Sequence, residues 1–594
     1  MLLCGCVFVW LILRREVPEN NISVKTPGDR HKKKEKKMKK ILAILLAAVM
    51  VLSLAACGAK KTEDTPAAPA DTSAATTTEP APIQVNEAVE VASGRFVKGE
   101  NGRYPVLQYA KGAEPSNLDC TAETNDDGAI VMIGSIYEQL VYADVNNNVH
   151  PELCESFEKS EDSRTYTYYL RKGVLFHDGT EMTADDVVAS MNRWLDFAST
   201  VDTMVGGARF EKVDDYTVTI TMENGTAYLN EMIACYAQHA IITTEECIAE
   251  AAASENGFIQ TYIGTGPYKW GEWVSADHIT LLANDDYKPY GTEGDFSGWG
   301  GHKTVWFDKV VISFISDESS ISAGMLTDEY DLTGALPMDY YEEYNNNENF
   351  NIMATATNLH ALIFNKAQGW GANQKFRQAV QALINCDDCL YAALGNDDYY
   401  DLYSSYMFKG TAWYTERGSE AYNQADKDKA LELFAEAGFT ENDTFTILCS
   451  TDSDYLIYAT VIQEEFREIG LNCDILTYEW GTFTQVRNNE PENYNAFMTG
   501  FSPKVLPNLN LFLSATWAGW CTDERIQNDL ATIATATDFD EAVALWGDLQ
   551  EYMLTESVPI VKFGCTNDFT VWRTDLTGVD YKEWAIWINA HPVE

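Results

Sequence analysis

Thr165-Tyr-Thr-Tyr-Tyr-Leu-Arg-Lys-Gly-Val-Leu-Phe-His-Asp-Gly-Thr-Glu-Met-Thr-Ala-Asp-Asp-Val187 is the most informative run of the chain. Tyr166, Tyr168 and Leu170 alternate with Thr165, Thr167 and Tyr169, the period of two that marks a half-buried strand, and Gly173 ends it. His177-Asp-Gly-Thr180 is a turn. Thr183-Ala-Asp-Asp186 has the spacing of a capping box and opens a helix running through Trp194. Downstream, Val213 to Met222 reads as another strand, with Val218, Ile220 and Met222 on one face. Gly264-Thr-Gly-Pro267 reads as a tight structural bend.

Further along, helices lead into strands. Asp426 to Ala437 carries Ala430, Leu433, Phe434 and Ala437 on one face and stops at Gly438, after which Phe445 to Leu448 is extended. Asp454 to Ile469 is amphipathic and ends at Gly470, and the strand Leu471 to Tyr478 follows. Glu541 to Thr555 is again helical, before the strand Val558 to Phe563. Repeated helix–strand alternation predicts an α/β sheet covered on both faces.

The chain of 594 residues is too long for one core, so several domains are expected. With 46% hydrophobic and 12% aromatic residues it has ample material to pack them. Lys and Arg number 42 against 90 Asp and Glu, a net charge of −48. Such a surface repels nucleic acid phosphates and anionic lipid headgroups alike. At the N-terminus, Lys39 and Lys40 follow Met38, Ile41 to Leu52 is apolar, and Leu54-Ala-Ala-Cys57 closes the run. A charged start, a short apolar core and small residues before a cleavage point make a secretory signal over 38–57, and the Leu-Ala-Ala-Cys ending resembles a bacterial lipobox, which implies that Cys57 is diacylated. Two acyl chains suffice for stable anchoring. Residues 1–37 read as a mis-called upstream extension. Residues 58–102, rich in Ala, Thr, Pro and Glu, read as a flexible tether.

Ten cysteines remain after Cys4, Cys6 and Cys57. Cys386-Asp-Asp-Cys389 lacks the second pair a zinc site needs, so free or locally paired thiols are expected. His150, His177, His239, His278, His302 and His360 are too widely spaced for a dedicated metal site, although a ligand that is itself a metal chelate would not require one. Neither a Gly-x-Ser-x-Gly elbow nor a His-Glu-x-x-His helix occurs, and the chain is expected to act without catalysis and without a cofactor.

Several segments together resemble the family of extracellular solute-binding proteins, family 5, that serve ABC importers for peptides, opines and nickel chelates. Pro151-Glu-Leu-Cys-Glu-Ser-Phe157 leads into the opening run, and Pro115-x-x-Leu118-Asp119, Ile136-Tyr-Glu-x-Leu140, Gly264-Thr-Gly-Pro-Tyr268, Phe364-Asn365, Arg377-Gln-Ala379 and Ala430-Leu-Glu-Leu-Phe-Ala-Glu-Ala-Gly438 follow collinearly. The likeness covers about residues 104–590. It implies a two-lobed periplasmic-binding-protein-like α/β fold, a Venus flytrap with an additional domain inserted in lobe I. Lobe I would be 103–136, 263–355 and 556–594, the inserted domain 137–262 and lobe II 356–555. The implied role is a monomeric, lipid-anchored binding protein on the outer face of the cell membrane. It would close on a peptide and hand it to permease and ATPase subunits. A non-peptide solute, whether oligosaccharide, opine or metal chelate, is the alternative.

The same resemblance nominates ligand-binding residues. The loop Glu123-Thr-Asn125-Asp126-Asp127 aligns with one that reaches the ligand, and its crowded carboxylates would be relieved by a cationic group; otherwise it is a solvated acidic turn. Trp480 matches an aromatic of the pocket, or else packs in the core. Arg487 matches a basic position suited to a ligand carboxylate, or else lies on the surface. Phe501 stands where a tryptophan is usual, and Trp517 and Trp520 are further candidates. Many peptide binders carry an aspartate just beyond that aromatic to pair the peptide ammonium. Here the stretch is Phe501-Ser-Pro-Lys-Val-Leu-Pro507, with Lys504 and no acid.

Overall fold

Two long neighbouring strands organise the molecule. The computed structural model describes residues 96–593, apart from 123–125, 236–237, 452, 505 and 582–584. The signal, Cys57 and most of the tether therefore lie outside the described residues, as do Glu123 and Asn125.

In chain order, β1 is Tyr104–Lys111; β2 Cys154–Lys159, β3 Thr165–Leu170, β4 Phe210–Asp214 and β5 Thr217–Thr221 follow. Then come β6 Tyr268–Val274, β7 His278–Ala283, β8 Phe307–Phe314, β9 Leu332–Leu336 and β10 Phe350–Phe364. Four more strands of the large sheet are β11 Thr444–Ser450, β12 Asn472–Tyr478, β13 Ala496–Phe501 and β14 Ile560–Arg573. The large sheet runs β12-β11-β13-β10-β14-β9-β1-β8-β7-β6, with Tyr400–Asp401 added beside β14. Strands β10 and β14 are antiparallel over nearly their whole length, from Phe350↔Arg573 to Ile363↔Ile560. Their outer neighbours attach at opposite ends. Strand β9 pairs only the Phe569–Trp572 end of β14, and β13 pairs only the Leu359–Phe364 end of β10. One sheet is thereby divided into two lobes joined by two continuous strands, whose register shifts at Ala356/Asn358 and His360/Ala361.

Between β1 and β6 the chain leaves this sheet and builds a separate antiparallel one, β2-β3-β5-β4. This is the domain inserted in lobe I. Tyr166, Tyr168 and Leu170 point into its core as the alternation predicts. Helix α1 (Ala184–Phe197) begins where Thr183 donates its backbone N–H to Asp186 Oδ2 at 2.9 Å. The expected single strand Val213–Met222 is instead two strands. The chain reverses at Asp214-Asp215-Tyr216, where Asp214 Oδ1 accepts the Tyr216 N–H at 2.9 Å, so β4 and β5 form a hairpin. The Gly264–Pro267 bend clamps onto the His177 turn: His177 N–H donates to Gly264 O at 2.9 Å, and Gly264 N–H donates to His177 Nδ1 at 3.2 Å. A Cβ on Gly264 would lie 2.0 Å from Ile136 O, and one on Gly266 would lie 2.1 Å from Ser135 O, so only glycine fits at either position.

A buried ionic cluster ties the inserted domain to lobe I. Lys303 Nζ reaches Glu138 Oε1 at 2.9 Å and Glu152 Oε1 at 2.6 Å, with all three side chains almost fully buried. Tyr287 and Thr265 hydroxyls donate to Glu138, and the Gln139 N–H donates to Glu152. Despite the cost of burial, Lys303 holds the Glu138 carboxyl below its ordinary range. A second buried pair, Arg193–Asp119, is bidentate at 2.6 and 3.2 Å. Asp119 also accepts the N–H groups of Thr121, Ala122 and Ile259.

Candidate functional site

The inserted domain and lobe II meet. Just before short helix α2 (Leu229–Cys235), Ala227 N–H donates to Ala536 O at 2.8 Å, and in the β2–β3 turn Ser163 Oγ donates to Thr537 O at 3.1 Å. The Tyr228 ring lies 5.6 Å from Trp413 and 5.8 Å from Phe539. On another side, Asn147 Nδ2 donates to Gly410 O at 3.1 Å. Asn147 takes φ of 62°, a left-handed conformation asparagine tolerates better than most residues.

These contacts frame a cavity of about 720 Å³. Its inserted-domain wall includes Asn146–Val149, Phe157, Lys159, Tyr166, Asn230 and Glu231. Residues Ala354–Ala356 of β10, beside the register shift, also line it. Lobe II supplies Asp401, Phe408, Lys409, Trp413, Pro503, Lys504 and Phe539. The size suits a small organic molecule or a short peptide, and the lining mixes ring faces with a few charges, as ligand sites do. Lys409 pairs with Asp401 at 3.2 Å. Glu231 Oε2 is buried with no hydrogen-bond partner, and burial pushes its carboxyl above the ordinary range, with Lys159 pulling the other way.

Four of the residues nominated from sequence gather elsewhere in lobe II. Trp480 opens helix α3 (Trp480–Asn489), capped by Glu479, which accepts the Thr482 and Gly481 N–H groups. It is 47% exposed and stacks on Phe483 at 5.3 Å. The Arg487 guanidinium sits 5.7 Å from the Phe483 ring, 5.8 Å from Phe497 and 5.2 Å from Trp517. Its side chain is half-buried, and it makes no ion pair among the described residues. Phe501, 7% exposed, packs against Phe512 at 5.1 Å and Trp517 at 5.8 Å. Trp520 closes a turn on Trp517, its N–H donating to Trp517 O at 2.8 Å. None of the five lines the cavity, whereas Pro503 and Lys504, just past Phe501, do. Asp126 begins a short helix, Asp126–Met132, and Asp127 is ion-paired with Lys111.

Sequence reasoning did not single out Glu231 or Trp413. One signal was available for the first: in Leu229-Asn-Glu-Met-Ile-Ala-Cys235 a carboxylate interrupts a helix whose other side chains are all buried. The ten described cysteines are all buried.

The fold and this cleft define a class of binding protein that holds a ligand between two lobes. The profile of bacterial extracellular solute-binding proteins, family 5 Middle, matches residues 148–520, and the chain belongs to that family. It is 28% identical over 465 residues, 75% of this chain and 86% of the relative, to a Sinorhizobium fredii protein named "Probable peptide ABC transporter periplasmic-binding protein y4tO". Among solved structures it resembles the Helicobacter pylori periplasmic binding protein DppA in complex with the peptide STSA. The TM-score is 0.64 at 21% identity, covering 82% of this chain and 98% of that one. It also resembles the binding protein AgaA of A. tumefaciens R10 in complex with agropinic acid, with a TM-score of 0.62 at 21% identity, covering 82% and 99%.

Proposed function

We propose that the chain is the lipid-anchored, extracytoplasmic binding component of an ABC importer and that its ligand is a peptide. The cavity between the inserted domain and lobe II carries this reading. Its walls come from parts of the molecule joined through β10 and β14, so a guest touching both would favour the closed arrangement. The hinge is assigned to the register shifts at Ala356–Ala361. A relative named for peptide transport supports the ligand class. The ligand leaves chemically unaltered, for delivery by a monomeric protein tethered through Cys57 to permease and ATPase subunits. The aromatic patch of Trp480, Arg487, Phe501 and Trp517, with Trp520 nearby, and the acidic loop of Glu123, Asn125 and Asp126 are assigned to the ligand path in the open form.

Lys504 favours a second reading. A lysine on the cavity wall, where many peptide binders place an acid, suits an anionic solute such as an opine. Mass spectrometry of material released from the purified protein by denaturation separates the two. Peptides are expected, and a sugar, opine or metal chelate overturns the peptide reading. A thermal-shift screen of peptide pools against such solutes supplies the second check, because a bound ligand raises the melting temperature.

A further inference from the structure

Glu231 is anomalous in this cavity. It lies on α2, a helix whose remaining side chains are all buried, and reaches the cavity wall. Its Oε2 has no hydrogen-bond partner, and no ion pair reaches it among the described residues. Two of the neighbouring polar groups are engaged elsewhere. The Tyr166 hydroxyl donates to Thr226 O at 2.8 Å, and Asn230 Oδ1 accepts the Tyr168 hydroxyl at 2.7 Å. Lys159 is the nearby cation and is itself exposed. A buried carboxylate oxygen left without a donor is costly in the empty protein. Trp413 and Phe539 line the same cavity, and aromatic faces attract cations. A carboxylate oxygen without a donor in a cavity lined by ring faces matches an organic cation.

We propose that Glu231 is the specificity residue of this cavity and takes a positively charged organic group of the ligand, a primary ammonium or a guanidinium, beside the rings of Trp413 and Phe539. This deepens the peptide reading and rests on it. The cation completes the hydrogen bonding that Oε2 lacks, so affinity depends on ligand charge at that position and not on ligand shape alone.

Calorimetry with two N-acetylated alanine-based tetrapeptides tests it, one carrying a single lysine and the other norleucine at the same position, so that the stem is kept and the one ammonium is removed. The lysine peptide is expected to bind the full chain about tenfold or more tightly. Glu231→Gln should abolish that preference, and Glu231→Asp should restore part of it. Unliganded Glu231→Gln should melt no lower than wild type, which separates a ligand role from a structural one. Equal binding of the two peptides by wild type, or a lysine preference that survives Glu231→Gln, overturns the assignment while leaving the peptide reading intact. If neither these peptides nor any member of a mixed peptide pool binds, the peptide reading itself fails and the assignment goes with it.

Discussion

Lys303, Glu138 and Glu152 show how much one residue can hold. A buried ion pair is not in itself strongly stabilising, but removing one partner strands the other charges in a dry site. Lys303→Met is therefore expected to cost about 3–5 kcal/mol in urea unfolding, and replacing all three by apolar residues should cost less. Histidines give the pH signature. Burial pushes His177, His239 and His360 down to about 4. A ring whose folded value is depressed contributes stability above its unfolded value near 6.5, and that contribution is lost as pH falls toward 4. Imidazole proton shifts in a nuclear magnetic resonance titration should show these three rings neutral at pH 5.5. Midpoints near 6.5 would contradict their burial. Glu231 has the opposite sign: its carboxyl is raised, so its contribution is present in acid and lost as pH rises through the raised value. The stability difference favouring Glu231→Gln should therefore grow toward neutral pH.

At the scale of elements, legibility followed how local the determining signal is. The helix Lys427–Ala437 was readable because its cap, stripe and stop all lie within thirteen residues: Asp426 accepts the Lys429 N–H, and Gly438 takes φ of 81°. Asp426→Ala should cost about 1 kcal/mol, measured by chemical denaturation. The β4–β5 hairpin was missed because its turn uses Asp214 and Tyr216, without the Gly or Pro that usually announces one. Strand β14 was expected to end near Phe563 but runs to Arg573, through Gly564, Asn567 and Asp568, residues that disfavour strands in isolation. Pairing with β10 on one side, and with Tyr400–Asp401 and then β9 on the other, overrides that preference. The cavity was the least legible feature. Its wall draws on segments near residues 146, 231, 355, 409, 503 and 539, and no local pattern announces which of them the fold brings together. Trp480, Arg487, Phe501 and Trp517 in lobe II, by contrast, were nominated by the family resemblance, and they form one aromatic patch with Phe483 and Phe497 that does not line the cavity.

At the scale of the whole molecule, β10 and β14 are the only strands among the described residues that run continuously through both lobes of the large sheet, while side-chain contacts of Tyr228 with Trp413 and Phe539 hold the inserted domain against lobe II. Truncating Tyr228 removes ring contacts worth about 0.5–1.5 kcal/mol per pair beyond buried area. Tyr228→Ala should accordingly shift the unliganded protein toward open forms and weaken ligand binding, since part of the binding energy must then reclose the cleft. The central claim is that a guest molecule decides whether these walls meet. Small-angle X-ray scattering of the protein, first stripped of ligand and then re-saturated with the material it co-purifies with, tests that claim most directly. The account predicts a smaller radius of gyration on saturation, with Tyr228→Ala larger than wild type when unliganded. Identical scattering curves with and without a bound ligand would contradict it.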